Sequence, residues 1–405
     1  MKLAFVVQRY GADIAGGSEA HCRELALRLT RHSATPRHDV TVLTTCARDY
    51  VSWANAYPPG ESRDEDVRVI RFPVRRTRRL RPFADLSDEV TDGGAPRERQ
   101  DAWFRENGPD APALLEHLAA RGAEYDLVLF WTFRYATSYL GVPLVADRAV
   151  LLPTAEDDPI VRVEALEDFF RRPAGYLFLT PEEASLVSER AGTGLAPAAT
   201  IGTGLEPVTA HADTGLLRAR GIEGDYVLYV GRVDRNKGCD GLLGYFEAYA
   251  AARSAPPTLV LAGPAKMRIP DHPRIKALGY VPDELRDALV SHARALVVPS
   301  RYESLSIVLL EAWNHGVPAV VNATCRVLEG QVRRANGGLA YRSAAEFEAA
   351  LDYLLANPRA RDAFGRQGLA YVDREYRWPT VLARVDALLH EVRARRLRLQ
   401  PDPGP

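Results

Sequence analysis

Short apolar runs alternate with helix-like patterns along nearly the whole chain, and this alternation limits the fold more than any other feature. Such alternation is typical of βαβ units with mostly parallel sheets. The cycle restarts near residue 225, so the pattern predicts an α/β protein with two doubly wound domains. The strand candidates are LAFVVQ, DVTVLTT, VRVIRFP, YDLVLFW, VLLPT and YLFLT in the first half, and YVLYVG, TLVLAG, IKALGYV, ALVVPS and AVVN in the second.

Composition marks where the domains divide. Residues 195–215 are rich in Ala, Gly, Pro and Thr, which suits a hinge. We therefore predict an N-terminal Rossmann-like domain over residues 1–203 and a C-terminal one over residues 204–375. A helix over residues 376–396 is expected to pack back on the N-terminal domain, and the polar tail, residues 397–405, to be disordered. Ligands of doubly wound sheets bind at the carboxyl ends of the strands, so two such domains are expected to face a central cleft that holds the active site.

Global properties exclude several classes of protein. The net charge of -1 over 405 residues gives no electrostatic reason to expect a nucleic-acid partner. No apolar run has the length of a membrane span and the N-terminus lacks a signal-peptide pattern, so a soluble, cytoplasmic protein is expected. The four cysteines lack metal-ligand or disulfide spacing and are expected to be reduced, mostly buried thiols. Richness in arginine and alanine suggests a bacterial source with GC-rich DNA.

Lysine is scarce, which makes each lysine informative. Only four of the 52 basic residues are lysines. One of them, Lys237, lies in VLYVGRVDRNKGCDGLL, where a strand end and Arg232 precede a helix. Two cations at a strand-to-helix turn favour phosphate, because backbone N–H groups and the helix dipole attract the same anion. The alternative is an exposed basic loop.

Two glutamates lie eight residues apart within the segment PSRYESLSIVLLEAWNHGVP, on either side of the largely apolar run SLSIVLL. Ser306 is a predicted N-cap, which puts Glu303 on the preceding loop and Glu311 inside the helix. A carboxylate on the loop after a parallel strand, such as Glu303, is suited to accept hydrogen bonds from sugar hydroxyls. A carboxylate further along the following helix, such as Glu311, is suited to accept hydrogen bonds from a ribose diol. The backbone amides of Ser304, Leu305 and Ser306 are suited to phosphate. The alternative is that Glu303 belongs to the first helical turn and Glu311 is solvated.

These residues carry a resemblance to a known family. Glu303 and Glu311 resemble the E-x7-E element of retaining glycosyltransferases of the GT-B fold, and GRVDRNKG resembles the phosphate element of glycosyltransferase family 4. The segments LVLAGP, ALGYVPDEL and EAWNHGVPAVV look like successive parts of that family's donor domain. The segment YGADIAGGSEAHCREL is similar to its N-terminal glycine-rich loop and first helix. The resemblance covers residues 1 to about 390.

The resemblance implies a retaining glycosyltransferase that moves a sugar from a nucleotide-sugar donor to an unknown acceptor, in bacterial cell-envelope or secondary-metabolite glycosylation. It assigns the donor to the C-terminal domain and the acceptor to the N-terminal one. The implied roles are diphosphate contacts from Arg232 and Lys237, a donor-sugar contact from Glu303, a ribose contact from Glu311, close backbone approach at Gly16 and Gly17, and nucleobase contacts from the backbone at Gly279 to Val281.

Two positions depart from the family pattern. In one, Ser304 and Leu305 follow Glu303 where members often have glycine and an aromatic residue, and the other is at residue 156. Members often have T-x-H-D after an N-terminal-domain strand, with the histidine over the donor sugar, whereas this chain has Glu156 in place of the histidine. Glu156 can still accept a hydrogen bond from a sugar hydroxyl, but it adds negative charge near the diphosphate. We therefore treat it as a candidate catalytic residue whose role is open.

The segment Arg71–Arg81 holds six arginines. It is suited to weak contact with an anionic membrane surface or to a phosphorylated acceptor. The alternative, which we favour, is a solvated strand end and loop, because no apolar face lies beside it in the sequence.

Other functions remain open at the level of sequence. A GT-B epimerase shares the fold, and loss of the histidine makes a non-catalytic nucleotide-sugar binding protein conceivable. A phosphorylase needs a lysine for pyridoxal phosphate, but three of the four lysines are poorly placed for it and Lys237 already has a phosphate role. A dehydrogenase needs a G-x-G-x-x-G loop after the first strand, and this chain has none there. No metal cofactor is expected, because no D-x-D pair stands where a metal would bridge phosphates.

Overall fold

The computed structural model describes residues 1–14, 16–31, 38–192, 194–209 and 213–399. The chain divides into two compact units. Unit 1 consists of Met1–Gly202 together with the C-terminal residues from Leu382 on, and unit 2 of Thr203–Val381. Residues 210–212 of the predicted hinge and 400–405 of the predicted tail lie outside the described residues.

Unit 1 is built on a single sheet with the strand order β3-β4-β2-β1-β5-β6-β7-β8. All neighbouring strands are parallel except β3 and β4, which form an antiparallel pair at one edge. The strands are β1 (Lys2–Val6), β2 (Asp39–Thr45), β3 (Gly60–Asp64), β4 (Val67–Phe72), β5 (Leu127–Trp131), β6 (Ala149–Leu152), β7 (Gly175–Phe178) and β8 (Ala198–Thr200).

Helices cover the sheet of unit 1 and bury an aromatic-rich core. In that core, the ring of Phe104 stacks on Tyr139 with centroids 3.9 Å apart. Short 3-10 turns occur at Gly122–Glu124, Val142–Arg148 and Pro159–Arg162. The α-helices are α1 (Gly17–Arg31), α2 (Leu80–Thr91), α3 (Arg97–Asn107), α4 (Pro112–Arg121), α5 (Ala136–Gly141), α6 (Ala165–Phe169) and α7 (Pro181–Ala191).

Unit 2 has a six-stranded, fully parallel sheet with the order β11-β10-β9-β12-β13-β14. Its strands are β9 (Tyr226–Val230), β10 (Thr258–Ala262), β11 (Ile275–Gly279), β12 (Ala295–Val298), β13 (Ala319–Asn322) and β14 (Gly338–Tyr341). Its helices are α8 (Gly215–Arg218), α9 (Cys239–Ala251), α10 (Asp283–His292), α11 (Ile307–Asn314), α12 (Arg326–Ala335), α13 (Ala344–Ala356) and α14 (Pro358–Glu375).

The last helix, α15 (Trp378–Leu399), belongs to unit 1 from Leu382 on. Asp386 accepts a hydrogen bond from His38 at 2.7 Å, and both side chains are buried. Arg393 and Arg396 form ion pairs with Asp126 and Asp147. The helix extends three residues beyond the position where we predicted the tail to begin.

The predicted α/β class with two doubly wound sheets is confirmed. Each of the eleven predicted strands coincides with a strand of the structure. The prediction missed β3, β8 and β14. The strand β3, GESRD, is polar because it forms the edge of the sheet and is largely exposed, so it lacks the apolar run that identifies buried strands.

Candidate functional site

The candidate donor site lies where the strand order of unit 2 reverses. The chain passes from β9 to β10 on one side and later returns to pair β12 with the other side of β9. The loops after β9 and β12 therefore leave the same edge of the sheet side by side. This position at a topological switch point is where open α/β sheets bind ligands.

The loop after β9 makes a tight turn before α9. Gly238 has φ +73°, and a Cβ there would lie 2.1 Å from the carbonyl oxygen of Pro299, so only glycine fits. Asp234 accepts a hydrogen bond from the backbone N–H of Lys237 at 2.8 Å and lies 3.4 Å from the Nε of Arg232. Both predicted cations thus project from one turn that Asp234 organises, a role that the sequence analysis missed.

Lys237 and Glu303 meet across the two loops. The Nζ of Lys237 donates a hydrogen bond to Oε1 of Glu303 at 2.8 Å. The side chain of Glu303 is only 12% exposed, whereas that of Lys237 is 30% exposed. The side chain predicted to bind phosphate and the side chain predicted to bind the sugar are therefore in direct contact.

The segment after Glu303 leads into α11 as predicted, and Ser306 is its N-cap residue. The buried hydroxyl of Ser306 makes no hydrogen bond within the described residues, so the cap lacks the usual side-chain contact. The backbone N–H of Ser306 instead donates to the side-chain oxygen of the buried Gln331 at 3.3 Å. Of the three amides predicted to meet phosphate, that of Ser306 is therefore already engaged within the protein.

Glu311 lines a cavity of about 470 Å³ within unit 2. Burial raises the pKa of Glu311, and the nearby Arg286, whose Nη1 lies 3.7 Å from Oε1, opposes that rise. Asp287 and Asp283 raise the pKa further. Arg286 is thus a cationic neighbour of Glu311, the residue predicted to bind ribose. The sequence pattern did not indicate Arg286.

The segment Gly279 to Val281 ends β11 at the same edge of the sheet. Gly279 has φ +66°, and a Cβ placed there would meet no atom within 4 Å. Its carbonyl accepts a hydrogen bond from the backbone N–H of Gly263 at 2.7 Å. Val281 is buried, but Tyr280 between them is 81% exposed. This exposed ring is a further candidate for contact with a base, and the sequence analysis missed it.

In unit 1, the predicted glycine-rich loop rests on a buried ion pair. Glu19 accepts hydrogen bonds from Gln8 at 2.9 Å and from the guanidinium of Arg9 at 2.5 and 2.9 Å. A Cβ on Gly16 would lie 2.3 Å from Oε2 of Glu19. Gly17 is the first residue of α1. A side chain at Gly16 would therefore clash with Glu19.

Glu156 lies after β6, close to a cation that the sequence analysis did not consider. The Nη2 of Arg134 lies 4.0 Å from Glu156 and 2.5 Å from Asp158. The side chain of Glu156 is 34% exposed. Arg134 thus pairs mainly with Asp158 and compensates the negative charge of Glu156 only in part.

A buried carboxyl group holds the loop that carries Glu156. Glu183 accepts hydrogen bonds from the backbone N–H groups of Ala155 at 2.7 Å and Leu179 at 2.6 Å. Burial raises the pKa of Glu183 to about 8, although these N–H donors act in the opposite direction. Thr154 in the same loop has φ +48°, an uncommon conformation for a residue with a side chain.

The arginine-rich segment is largely engaged within unit 1. Arg75 pairs with Asp110, and Arg76 and Arg79 both pair with Glu106. Arg78 donates to the backbone carbonyl of Asn107. The segment therefore offers less uncompensated charge than its sequence suggests.

Neither a cluster of metal ligands nor a membrane-spanning helix occurs in the described part of the chain. Across the described ranges, no group of three or more His, Cys, Asp or Glu side chains is arranged to hold a metal ion. Asp64 and Asp66 have the D-x-D spacing, but they pair with Arg23 and Arg31. Within the same residues, no helix combines the length and the hydropathy needed to cross a bilayer. All four cysteines are buried and free, as predicted.

Solved structures with this architecture include several glycosyltransferases. Sucrose-phosphate synthase of Thermosynechococcus elongatus aligns over 97% of this chain and 99% of its own with a TM-score of 0.72 and 18% identity. The fold is GT-B. The Anabaena protein HepE, solved with UDP and glucose, aligns over 96% of this chain and 100% of its own with a TM-score of 0.68 and 16% identity.

Sequence comparison adds a match confined to unit 2. Residues 224–357, which carry both predicted donor motifs, match the model of the family described as Glycosyl transferases group 1. The O-antigen chain mannosyltransferase B of Escherichia coli is 33% identical over 105 residues, which is 24% of this chain. The matched segment spans only 28% of the length of that relative.

Proposed function

We propose that the protein is a retaining glycosyltransferase of family 4 that transfers a sugar from a UDP- or GDP-sugar to an acceptor not yet identified. The observation that carries this proposal is the 2.8 Å contact between Lys237 and Glu303. It joins a phosphate-type turn and a sugar-type loop at the switch point of a sheet that lies within the family match.

The diphosphate of the donor would lie at the turn between β9 and α9. Arg232 and Lys237 would neutralise the negative charge that gathers on the leaving diphosphate, which stabilises the transition state. The amides of Ser304 and Leu305 would contribute further donors. Because these groups supply the positive charge, we propose that turnover needs no divalent metal. Loss of activity in EDTA with recovery in magnesium or manganese would contradict this proposal.

The sugar would lie over Glu303. Positive charge develops on the sugar ring as the bond to the diphosphate breaks, and a carboxylate nearby favours that state over the neutral ground state. Glu311 would bind the ribose, the backbone at Gly279 to Val281 the base, and the loop at Gly16 and Gly17 would admit a ligand to unit 1. Glu156 would accept a hydrogen bond from a donor hydroxyl.

Similar proteins support this function without specifying the substrates. HepE was solved with UDP and glucose, and the curated relative is called a mannosyltransferase. We propose that the chain acts in the cytoplasm, in cell-envelope or secondary-metabolite glycosylation.

A nucleotide screen followed by a turnover assay tests the proposal. UDP, GDP, ADP and dTDP are compared for thermal stabilisation, and a ligand present at 100 times its Kd is expected to stabilise the protein by about 2.7 kcal/mol. The corresponding sugar nucleotides are then tested for release of nucleoside diphosphate. Stabilisation without release would favour a binding protein, and a changed sugar configuration without release would favour an epimerase.

A further inference from the structure

A cavity of about 210 Å³ opens in unit 1 beside the arginine-rich segment. Arg75 and Arg76 line it from the segment after β4, and Arg105 lines it from α3. Its walls also include Ala111 at the start of α4 and Thr137 in α5. The cavity lies wholly within unit 1 and shares no residue with the donor site proposed above.

The charge around this cavity is positive. Asp110 forms two hydrogen bonds with the guanidinium of Arg75, both at 3.1 Å, and Glu106 forms two with Arg76 at 2.8 and 3.2 Å. The hydrogen bond from Arg76 also lowers the pKa of Glu106, which keeps that carboxylate ionised. Each acidic residue of the lining is thus matched by an arginine, and Arg105 remains without an ion-pair partner in the described part of the chain.

Two uncharged features of the lining also favour an anion. The first is the amino end of α4, where Ala111 provides no capping side chain and the first turn holds no acidic residue. Pro112 at the first position has no N–H group and the N–H of Leu114 donates to the carbonyl of Ala111 at 3.1 Å, so this end contributes mainly the partial positive charge of the helix dipole. The second is Thr137, which is 2% exposed and whose hydroxyl has no hydrogen-bond partner in the described residues. A helix amino end and an unused hydroxyl beside a cationic cavity suit an oxyanion.

We propose that this cavity binds the phosphate group of a phosphorylated sugar that serves as the acceptor. The guanidinium group of Arg105 is suited to recognise phosphate through paired hydrogen bonds, while Arg75 and Arg76 compensate the acidic residues of the lining. The volume exceeds what a single phosphate ion fills, which leaves room for part of a sugar. The acceptor role rests on the proposed glycosyltransferase function, whereas the binding of a sugar phosphate does not.

Calorimetry with defined probes tests the proposal. Glucose 6-phosphate, fructose 6-phosphate, inorganic phosphate and glucose are each titrated into the full-length protein near physiological salt. At least one sugar phosphate is expected to bind more tightly than inorganic phosphate, and glucose is expected not to bind. If inorganic phosphate binds as tightly as both sugar phosphates, or if none of the four probes binds, the proposal is overturned.

Three variants locate the binding. Arg105→Gln and Arg75→Gln are each expected to weaken sugar-phosphate binding at least tenfold, and Thr137→Val severalfold. The matched control is Arg81→Gln, since Arg81 belongs to the same arginine-rich segment but does not line the cavity. Equal losses in Arg81→Gln and Arg105→Gln would show diffuse attraction and would overturn the proposal.

Titration with UDP and GDP separates this inference from the proposed function. The cavity variants are expected to bind nucleoside diphosphate as the unmodified protein does. If sugar phosphate binds but no nucleotide does, the donor assignment fails and the cavity assignment stands. The reverse result removes the cavity assignment alone.

Discussion

At the scale of single residues, Lys237 has one acidic partner at its backbone N–H group and another at its side-chain ammonium group. Asp234 accepts from its backbone N–H, and Glu303 accepts from its ammonium group. A diphosphate that binds Lys237 must therefore compete with Glu303 for the ammonium group or share it. This arrangement couples the proposed phosphate and sugar contacts through one side chain.

Removing either cation of the turn is expected to weaken nucleotide binding. Arg232→Ala and Lys237→Ala should each cost about 1.5 to 3 kcal/mol of binding free energy, because each removes a charge-assisted contact. Arg235→Ala is the control, since Arg235 is exposed on the same turn. Calorimetry that finds all three variants equal to the unmodified protein in their affinity for the four nucleotides would contradict the phosphate assignment.

Replacing Glu303 is expected to affect turnover more than donor binding. Glu303→Gln keeps the shape of the side chain but removes the charge that favours the cationic transition state, so kcat should fall while donor affinity changes little. NMR of the product should show the anomeric configuration of the donor. An inverted product, or a Glu303→Gln variant with normal kcat, would rule out the proposed mechanism.

The separate motifs around this site were readable from the sequence, but their contacts were not. Lys237 was identified because lysine is rare, and Glu303 because it follows a buried strand. Their 2.8 Å contact depends on β9 and β12 being neighbours although 66 residues separate the two side chains. The pair Arg9 and Glu19 was missed for a similar reason, since its burial depends on packing that local pattern does not encode.

At the scale of elements, the loop between β6 and the following 3-10 turn is held by Glu183 from α7. The N–H groups of Ala155 and Leu179 point at the two oxygens of one carboxylate that has no exposed surface. These two hydrogen bonds to Glu183, called here the Glu183 clamp, join the ends of two neighbouring strands and fix the backbone from which Glu156 projects.

This clamp is expected to make stability depend on pH. The pKa of Glu183 is about 8 in the folded protein against 4.5 for an unperturbed glutamate, so the folded state binds more protons between these values. Stability should therefore fall as the pH rises from about 4.5 to 8, by at most about 1.4 kcal/mol per pH unit from this group. Urea unfolding of Glu183→Gln at several pH values should show a smaller dependence than the unmodified protein.

Glu189→Gln serves as the control for that experiment, because Glu189 is exposed on the same helix. Its pH dependence should match that of the unmodified protein. Identical slopes for Glu183→Gln and the unmodified protein would show that Glu183 does not titrate in this range.

At the scale of the whole molecule, the two ends of the chain build one unit. The apolar face of α15 buries Val385, Leu388, Leu389 and Val392, and its polar contacts reach His38, Asp126 and Asp147. The stability of unit 1 therefore depends on a segment that follows all of unit 2 in the sequence.

A substitution that creates a cavity beside α15 is expected to destabilise unit 1 selectively. Leu389→Ala should cost about 2 to 5 kcal/mol because Leu389 is fully buried, whereas Leu397→Ala, at a residue that is 53% exposed, should change stability by less than about 0.5 kcal/mol. Hydrogen exchange should show faster exchange of β1 and β2 amides in Leu389→Ala. If exchange rises only in unit 2, α15 does not support unit 1.

Because the ribosome synthesises the chain from the N-terminus, the completion of unit 1 is delayed until α15 has been made. Unit 2 spans about 180 residues, so on the order of 10 to 40 s of synthesis separates the last strand of unit 1 from its closing helix. Throughout that interval the nascent unit 1 exposes the apolar surface that α15 later covers. Unit 2 has every strand of its own sheet once β14 ends at Tyr341, before α15 is synthesised, so the second half of the chain is able to fold before the first half is complete.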